Sequence, residues 1–420
     1  MSVVTSPVPP TETAQGESAL AAYARGYAAR IRGGEMGALP AILGLIVLCT
    51  VFSILRPAFL TAGNFANLLS QGAAVVAIAM GLVFVLLLGE IDLSAGYASG
   101  VCAAVLAVLL TEYNWPWWWA ILAGLATGAV IGSFLGLLVA KVGIPSFVVT
   151  LAGFLAFQGL VLLLIKGGTN ISVRDKVVLA INADGRLSPL AGWILYLLTV
   201  GGFLAVQLVK RRNRAKRGLS VEPMSIVAFR VGSLAVIGGL AVYVLNLERS
   251  RNTLIVSLKG MPVVVPLIAV LLVVWTFVLR RTAYGRHIYA VGGNSEAARR
   301  AGINVDRIKI SAFVICSSMA AVGGIVAASR ANSVDPNTGG SNVLLYAVGA
   351  AVIGGTSLFG GKGRVLDAVL GGAVIAVIDN GMGLMGYSAG VKYVVTGVVL
   401  LLAAGVDALS RRRAAASGLR

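Results

Sequence analysis

Asp92 stands in the stretch GEIDLSAG (89–96), where one long apolar run ends and another begins. A carboxylate inside hydrocarbon costs about 2.5 to 3.5 kcal/mol on insertion scales, so it must face protein or a wet cavity. Followed by Leu93, Ser94, Ala95 and Gly96, Asp92 reads as a helix N-cap after a break, its oxygens meeting N–H groups that an interrupted membrane helix leaves open. The same carboxylate can instead line a solute path. Glu90 adds a second acid, and more polar groups fall inside apolar runs at Gln71, Gln158, Asp379, Asn380 and Lys392. Such groups either join helices or line a pathway. Glu90, Asp92, Ser94, Asp379 and Asn380 are the candidates for a translocation path or a helix break. A proton-coupled carrier would use Glu90, Asp92 or Asp379.

Catalytic chemistry finds little support. His287 is the only histidine, and Cys49, Cys102 and Cys316 lie far apart in apolar segments without CxxC spacing. A His-based metal centre, a zinc site and a disulfide framework are therefore not expected. GGKGR (360–364) invites a test as a phosphate loop, which requires Gly, four residues, Gly-Lys and then Ser or Thr. Here Lys362 is followed by Gly363, so the pattern fails. No cofactor is expected on this chain. A membrane enzyme is disfavoured, because no long polar loop gathers His, Cys or paired acids.

The elements that position these residues are membrane helices. The 420 residues are 58% hydrophobic and 12% charged, with a mean hydropathy of +0.91, far more apolar than an average soluble domain. Apolar runs long enough to cross a hydrocarbon core of about 30 Å recur near 39–56, 64–88, 95–111, 117–140, 146–165, 191–209, 226–246, 261–279, 308–328, 342–358, 365–381 and 391–408. The fold class expected is an all-α polytopic membrane protein of about twelve spans. The second, third and tenth segments are interrupted by glycine, which marks them as candidates for broken or re-entrant helices. The 53 glycines predict close helix packing. Residues 1–37 read as a disordered polar tail, 38–408 as the membrane domain and 409–420 as a basic tail.

Charge supplies the sidedness. With the N-terminus inside, 24 of the 34 basic residues fall in cytoplasmic stretches, nine fall outside and Lys392 lies in a span. That is the asymmetry membrane insertion imposes. Both termini and KRRNRAKR (210–217) are then cytoplasmic. The net charge of +18 reflects topology and anionic headgroups, and no nucleic-acid partner is inferred.

One cytoplasmic loop, 280–309, contains GGNSEAARRAGIN (292–304), polar and charged between apolar spans. Ser295 can serve as N-cap, Glu296 suits the first turn and Gly302 is placed to end a surface helix of about two turns. By itself this is either a linker or a docking element. A spacing match between Gly89, Leu93, Gly96 and Gly354, Leu358, Gly361 also suggests a diverged internal repeat.

The run Glu296-Ala297-Ala298-x-x-x-Gly302 resembles the EAA loop of ATP-binding cassette importer permeases, although the later Leu-Pro of that pattern is missing. GEIDLSAG (89–96), YAVGGNSEAARRAGINVDRIKI (289–310) and VIGGTSLFGGKGR (352–364) together resemble the ribose and xylose branch of monosaccharide permeases, from about residue 40 to the end. The basic loop between two extra helices (191–246) and DNGMGLMG (379–386) are similar to the xylose-type permease. Glu90 departs from the branch, whose first motif usually carries another residue there.

The resemblance implies a coupling helix that seats in a groove of a separate cytoplasmic ATPase. Ser295, Glu296, Ala297, Ala298, Arg299, Arg300 and Gly302 would form it, the small Ala face entering the groove and the charges meeting its rim. It further implies ATP-Mg on the partner chain alone, an extracytoplasmic sugar-binding protein, a homodimer in a bacterial cell membrane, and a monosaccharide cargo such as xylose.

Overall fold

The computed structural model describes residue 25 and residues 37–250, 252–254 and 257–416. Apart from Arg25 and Gly37, the expected N-terminal tail lies outside the described residues, as do the last four residues of the basic tail. Eight described helices are long and apolar enough to cross a membrane, and four shorter apolar helices accompany them. The chain is an all-α polytopic membrane protein.

The helices are α1 (Leu39–Leu55), α2 (Ala62–Leu87), α3 (Ala95–Thr111), α4 (Trp117–Leu137), α5 (Ser146–Leu164), α6 (Lys176–Asn182), α7 (Pro189–Lys216), α8 (Met224–Asn246), α9 (Val264–Arg281), α10 (Ala283–Gly293), α11 (Ser295–Arg300), α12 (Val305–Ala331), α13 (Ser341–Ile353), α14 (Val365–Leu384) and α15 (Ala389–Ala416). Two short antiparallel ladders tie loops together: β1 (Ile171–Ser172) with β4 (Ser333–Val334), and β2 (Arg186–Leu187) with β3 (Met261–Pro262).

Two compact units are distinguishable, one formed by Gly37–Pro189 with Leu245–Leu409 and one built on Leu190–Val244. Within the smaller, α7 and α8 pair directly. Tyr196 Oη donates to Ala235 O at 2.8 Å, and the absence of side chains at Gly238 and Gly239 leaves room for the Tyr196 ring. The larger unit is organised around α2, which packs against α9, α12, α13 and α14. In α4, Gly128, Gly132 and Gly136 recur at every fourth residue and form one stripe that lies against the α12 backbone near Ser317, Phe313 and Ile310. That is how small residues bring membrane helices into contact. Large apolar side chains such as Leu43, Leu155 and Val273 are exposed on α1, α5 and α9, as a hydrocarbon solvent requires.

Two expectations change. The second span is not broken: α2 runs unbroken for 26 residues, its glycines serving close contacts, Gly72 with Ala376 and Gly81 with Met319. The interruption comes after it, over residues 88–94. The third and tenth segments are the short ones, 17 residues in α3 and 13 in α13, about 25 Å and 20 Å at 1.5 Å per residue. The suggested repeat also fails as structural equivalence, since Gly96 lies inside α3 whereas Gly361 precedes α14 by several residues.

Candidate functional site

The α2–α3 linker is pinned on several sides. Ser146 Oγ at the start of α5 accepts from Ile91 N at 3.2 Å, and Thr150 Oγ1 donates to Ile91 O at 3.1 Å. Asp92 is buried, and its Oδ1 accepts from Ser94 N at 2.9 Å and Ser94 Oγ at 2.6 Å. Ser94, not Asp92, occupies the N-cap position of α3. Asp92 acts two residues earlier, closing a turn that delivers the chain into the helix. Its buried Oδ2 accepts no hydrogen bond of ordinary geometry among the described residues, and Cys316 is its neighbour.

The other two motif segments meet this linker. Gly361 N donates to Leu87 O at 2.8 Å. Gly292 lies against both groups, so closely that a Cβ there would collide with Leu87 O and sit 3.0 Å from Gly361 N. Tyr289 Oη, one turn earlier on α10, donates to Gly363 O at 2.7 Å. Burial holds this phenol above its ordinary value, so it remains a donor at neutral pH. Burial likewise pushes Tyr284 up to about 12, and its hydroxyl shares a 2.9 Å hydrogen bond with Ser311. The glycine corner is closed by Asp367, whose Oδ2 accepts from Arg364 N and whose Oδ1 accepts from Arg364 Nη2, both at 2.8 Å.

The six-residue helix α11 projects from this junction. Its N-cap is Asn294, whose Oδ1 accepts from Ala297 N at 2.9 Å, and not Ser295. Asn294 has the extended backbone a cap residue needs, whereas Ser295 is already helical. Gly302, at φ +83°, ends the element in the left-handed conformation as expected. Glu296, Ala297, Arg299 and Arg300 are exposed, but Ala298 is only 4% exposed and belongs to the protein's own core. The Ala pair therefore splits: Ala298 fastens α11 to this chain, and Ala297 is left exposed.

Two ion pairs tie the first turns of α12 to neighbouring elements. Lys309 Nζ lies 2.6 Å from Glu90 Oε1, and Lys141 Nζ lies 3.0 Å from Asp306 Oδ2. They border a cavity of about 270 Å³ whose wall includes Ser146 and Arg299.

Asp379 and Asn380 stand elsewhere, toward the opposite end of α2. Asn380 exchanges hydrogen bonds with Asn64 at 2.9 and 3.0 Å and donates to Gln71 Oε1 at 3.3 Å. Gln71 also donates to Asp379, which pairs with Lys392 at 3.2 Å. Four of the five intramembrane polar residues thus form one network, with Gln158 outside it. The path candidates divide into Glu90, Asp92 and Ser94 at one end and Asp379 and Asn380 at the other.

A family model described as the permease component of a branched-chain amino acid transport system matches residues 64–404. The chain belongs to this family of permeases. The permease is 36% identical over 373 residues to the xylose transport system permease protein XylH of Haemophilus influenzae, covering 89% of this chain and 96% of that protein. With XylH of Escherichia coli K12 the identity is 39% over 357 residues, 85% of this chain and 87% of the relative. The ribose import permease protein RbsC of Escherichia coli K12 is 30% identical over 368 residues, 87% and 92% of the two chains. No solved structure matches.

Asn294, Gly292, Tyr289, Asp367 and Lys309 carry the geometry of this permease without having been singled out in its sequence. The Gly292-Gly293 doublet was one available signal, because glycine is a poor choice inside a helix unless a backbone must approach. Lys309 had a weaker one: an unusual acid at Glu90 calls for a base somewhere.

Proposed function

We propose that this permease is the membrane subunit of an ATP-binding cassette importer that carries a monosaccharide, xylose in particular, into the cytoplasm. The observation that carries the reading is the junction of Leu87, Gly292 and Gly361 beneath an exposed α11. A partner pressing on α11 moves α10, and α10 has no slack against the linker that holds Asp92. Identity to xylose permeases, at 36% and 39%, exceeds the 30% to the ribose permease, which favours xylose over ribose.

In this reading a cytoplasmic ATPase binds ATP-Mg, closes on α11 and opens the sugar path. An extracytoplasmic binding protein delivers the sugar, and two copies of the permease line the path. Ser295, Glu296, Ala297, Arg299, Arg300 and Gly302 form the docking element, while Ala298 seats it. Both termini face the cytoplasm of a bacterial cell.

Ala297→Trp tests the reading. Overfilling a packed interface should abolish co-purification with the ATPase and lower ATP-dependent uptake at least tenfold, while the protein alone keeps its thermal stability. Glu296→Arg should weaken docking through reversed rim charge. Unchanged complex formation and uptake in Ala297→Trp would leave α11 a mere linker. Uptake that follows an ion gradient without ATP would replace the importer by a carrier.

A further inference from the structure

Toward the C-terminal end of α14, polar side chains gather on a surface that the chain leaves open. Asp379 and Lys392 pair at 3.2 Å, with 28% and 22% of their side chains accessible. The ammonium reaches its partner across Gly383, one turn after Asp379 on the same face of α14, where a Cβ would stand 3.3 Å from Nζ. From α13, the Asn342 amide donates to the Tyr393 hydroxyl of α15, and both residues are exposed. Tyr346, one turn after Asn342, stands beside Thr396 and within electrostatic reach of Asp379 and Tyr393. A carboxylate, an ammonium, an amide and two phenols thus meet at one place.

Such a surface cannot lie against hydrocarbon. Asp379 is about 21 Å along α14 from Val365 at 1.5 Å per residue, within the depth of a core of about 30 Å. Accessible charges at that depth face either protein or water. The polarity is local, because farther along α15 Val398, Leu401 and Leu402 are exposed and suit lipid.

The chemistry on offer is that of a neutral polyol. A carboxylate has about four acceptor positions, and among the described residues Asp379 meets Gln71 and Lys392. The Lys392 ammonium has donors beyond the one that meets Asp379. Tyr393, accepting from Asn342, keeps its own proton to donate. Donors and acceptors therefore lie side by side, as vicinal hydroxyls require, and the rings of Tyr346 and Tyr393 offer flat apolar faces to the C–H side of a pyranose. Because the opposite charges cancel, an ionic solute gains no net attraction, whereas a neutral one meets charge-assisted hydrogen bonds.

We infer that Asp379, Lys392, Asn342 and Tyr393 contact the sugar directly in the outer half of its path, so that the permease itself selects its cargo. The inference rests on the monosaccharide cargo and the orientation proposed above.

The test is saturation-transfer NMR between D-xylose and the full-length permease in nanodiscs of neutral lipid. The wild type should transfer saturation to xylose and not to glycerol at the same concentration. Asp379→Asn should raise the dissociation constant about tenfold by removing a charged acceptor. Tyr393→Phe, which keeps the ring and the ion pair, should raise it about threefold, and it decides the matter if Asp379→Asn does not fold. Val273→Ala, on the exposed face of α9, should bind like wild type. In a background with Cys49, Cys102 and Cys316 replaced by Ala, Asn342→Cys should react with a membrane-impermeant thiol reagent. No transfer to xylose, equal transfer to glycerol, or unchanged affinity in Tyr393→Phe or in a folded Asp379→Asn overturns the inference. Reaction of Asn342→Cys only with a lipid-soluble maleimide would place this face against lipid, and reaction with neither reagent would place it under a second copy of this chain; each overturns the inference as well. ATP-dependent xylose uptake without binding here would sink the inference alone, whereas uptake that follows an ion gradient without ATP would sink the importer reading and leave xylose binding, and its loss in the variants, standing.

Discussion

Asp92 and Glu90 are close in sequence and have opposite fates. Asp92 is buried against its own turn, while Glu90 reaches Lys309 across more than two hundred residues. The Glu90–Lys309 pair is partly exposed, so solvent screening keeps its worth well below that of a fully buried pair, about 1 to 2 kcal/mol. Glu90→Lys should lower detergent stability by that amount and reduce uptake, and adding Lys309→Glu should restore most of both. A double variant no better than the single would show that the pair contributes nothing beyond its two side chains. Glu248 offers a pH test in the segment after α8. Hydrogen bonds from Ser250 N, Leu258 N and Ser257 Oγ lower its carboxyl to about 2 from an ordinary 4.5. A depressed folded-state value stabilises the segment above the ordinary value, and the effect is lost as pH falls through 4.5 toward 2. Hydrogen exchange at the Leu258 amide should therefore be protected at pH 6 and lose protection toward pH 3, and Glu248→Gln should remove that pH dependence.

Among the elements, the contact between α10 and the end of α2 is the tightest at the junction. Any side chain at position 292 drives a Cβ into Leu87 O, so Gly292→Ala should cost about 1 to 3 kcal/mol and push α10 and α11 away from the linker. If α11 transmits motion as proposed, ATP turnover should persist in the assembled complex while sugar uptake falls, which simple unfolding would not produce. Retained coupling with only lower stability would reduce the junction to packing. Asn294 and Gly302 define the ends of α11 by local chemistry, a side-chain cap and a left-handed glycine. Where its faces point is decided by the neighbours, and Ala298 is taken inward.

At the scale of the molecule, if the eight long and four shorter apolar helices among the described residues all cross the membrane, the one-sided distribution of basic residues predicts that KRRNRAKR lies in the cytoplasm. A membrane-impermeant thiol reagent added to intact cells should fail to label Ala215→Cys in a background with Cys49, Cys102 and Cys316 replaced by Ala. Labelling from outside would break the twelve-span register and with it the placement of both termini.

The apolar helical segments and the glycine that ends α11 were legible in the sequence because hydropathy and a left-handed residue act over a single segment, whereas its N-cap falls on Asn294 and not on the expected Ser295. The family was legible as well, because its motifs are contiguous runs. What the chain alone did not reveal is which runs meet. Helices apolar all round have no face that a sequence can mark as inward, so nothing in GEIDLSAG points to Lys309, and nothing in SEAARR says which alanine the protein keeps for itself. Leu87, Gly292 and Gly361 are brought together by the packing of α2, α10 and the segment before α14, a match of shapes over hundreds of residues that only the tertiary structure decides.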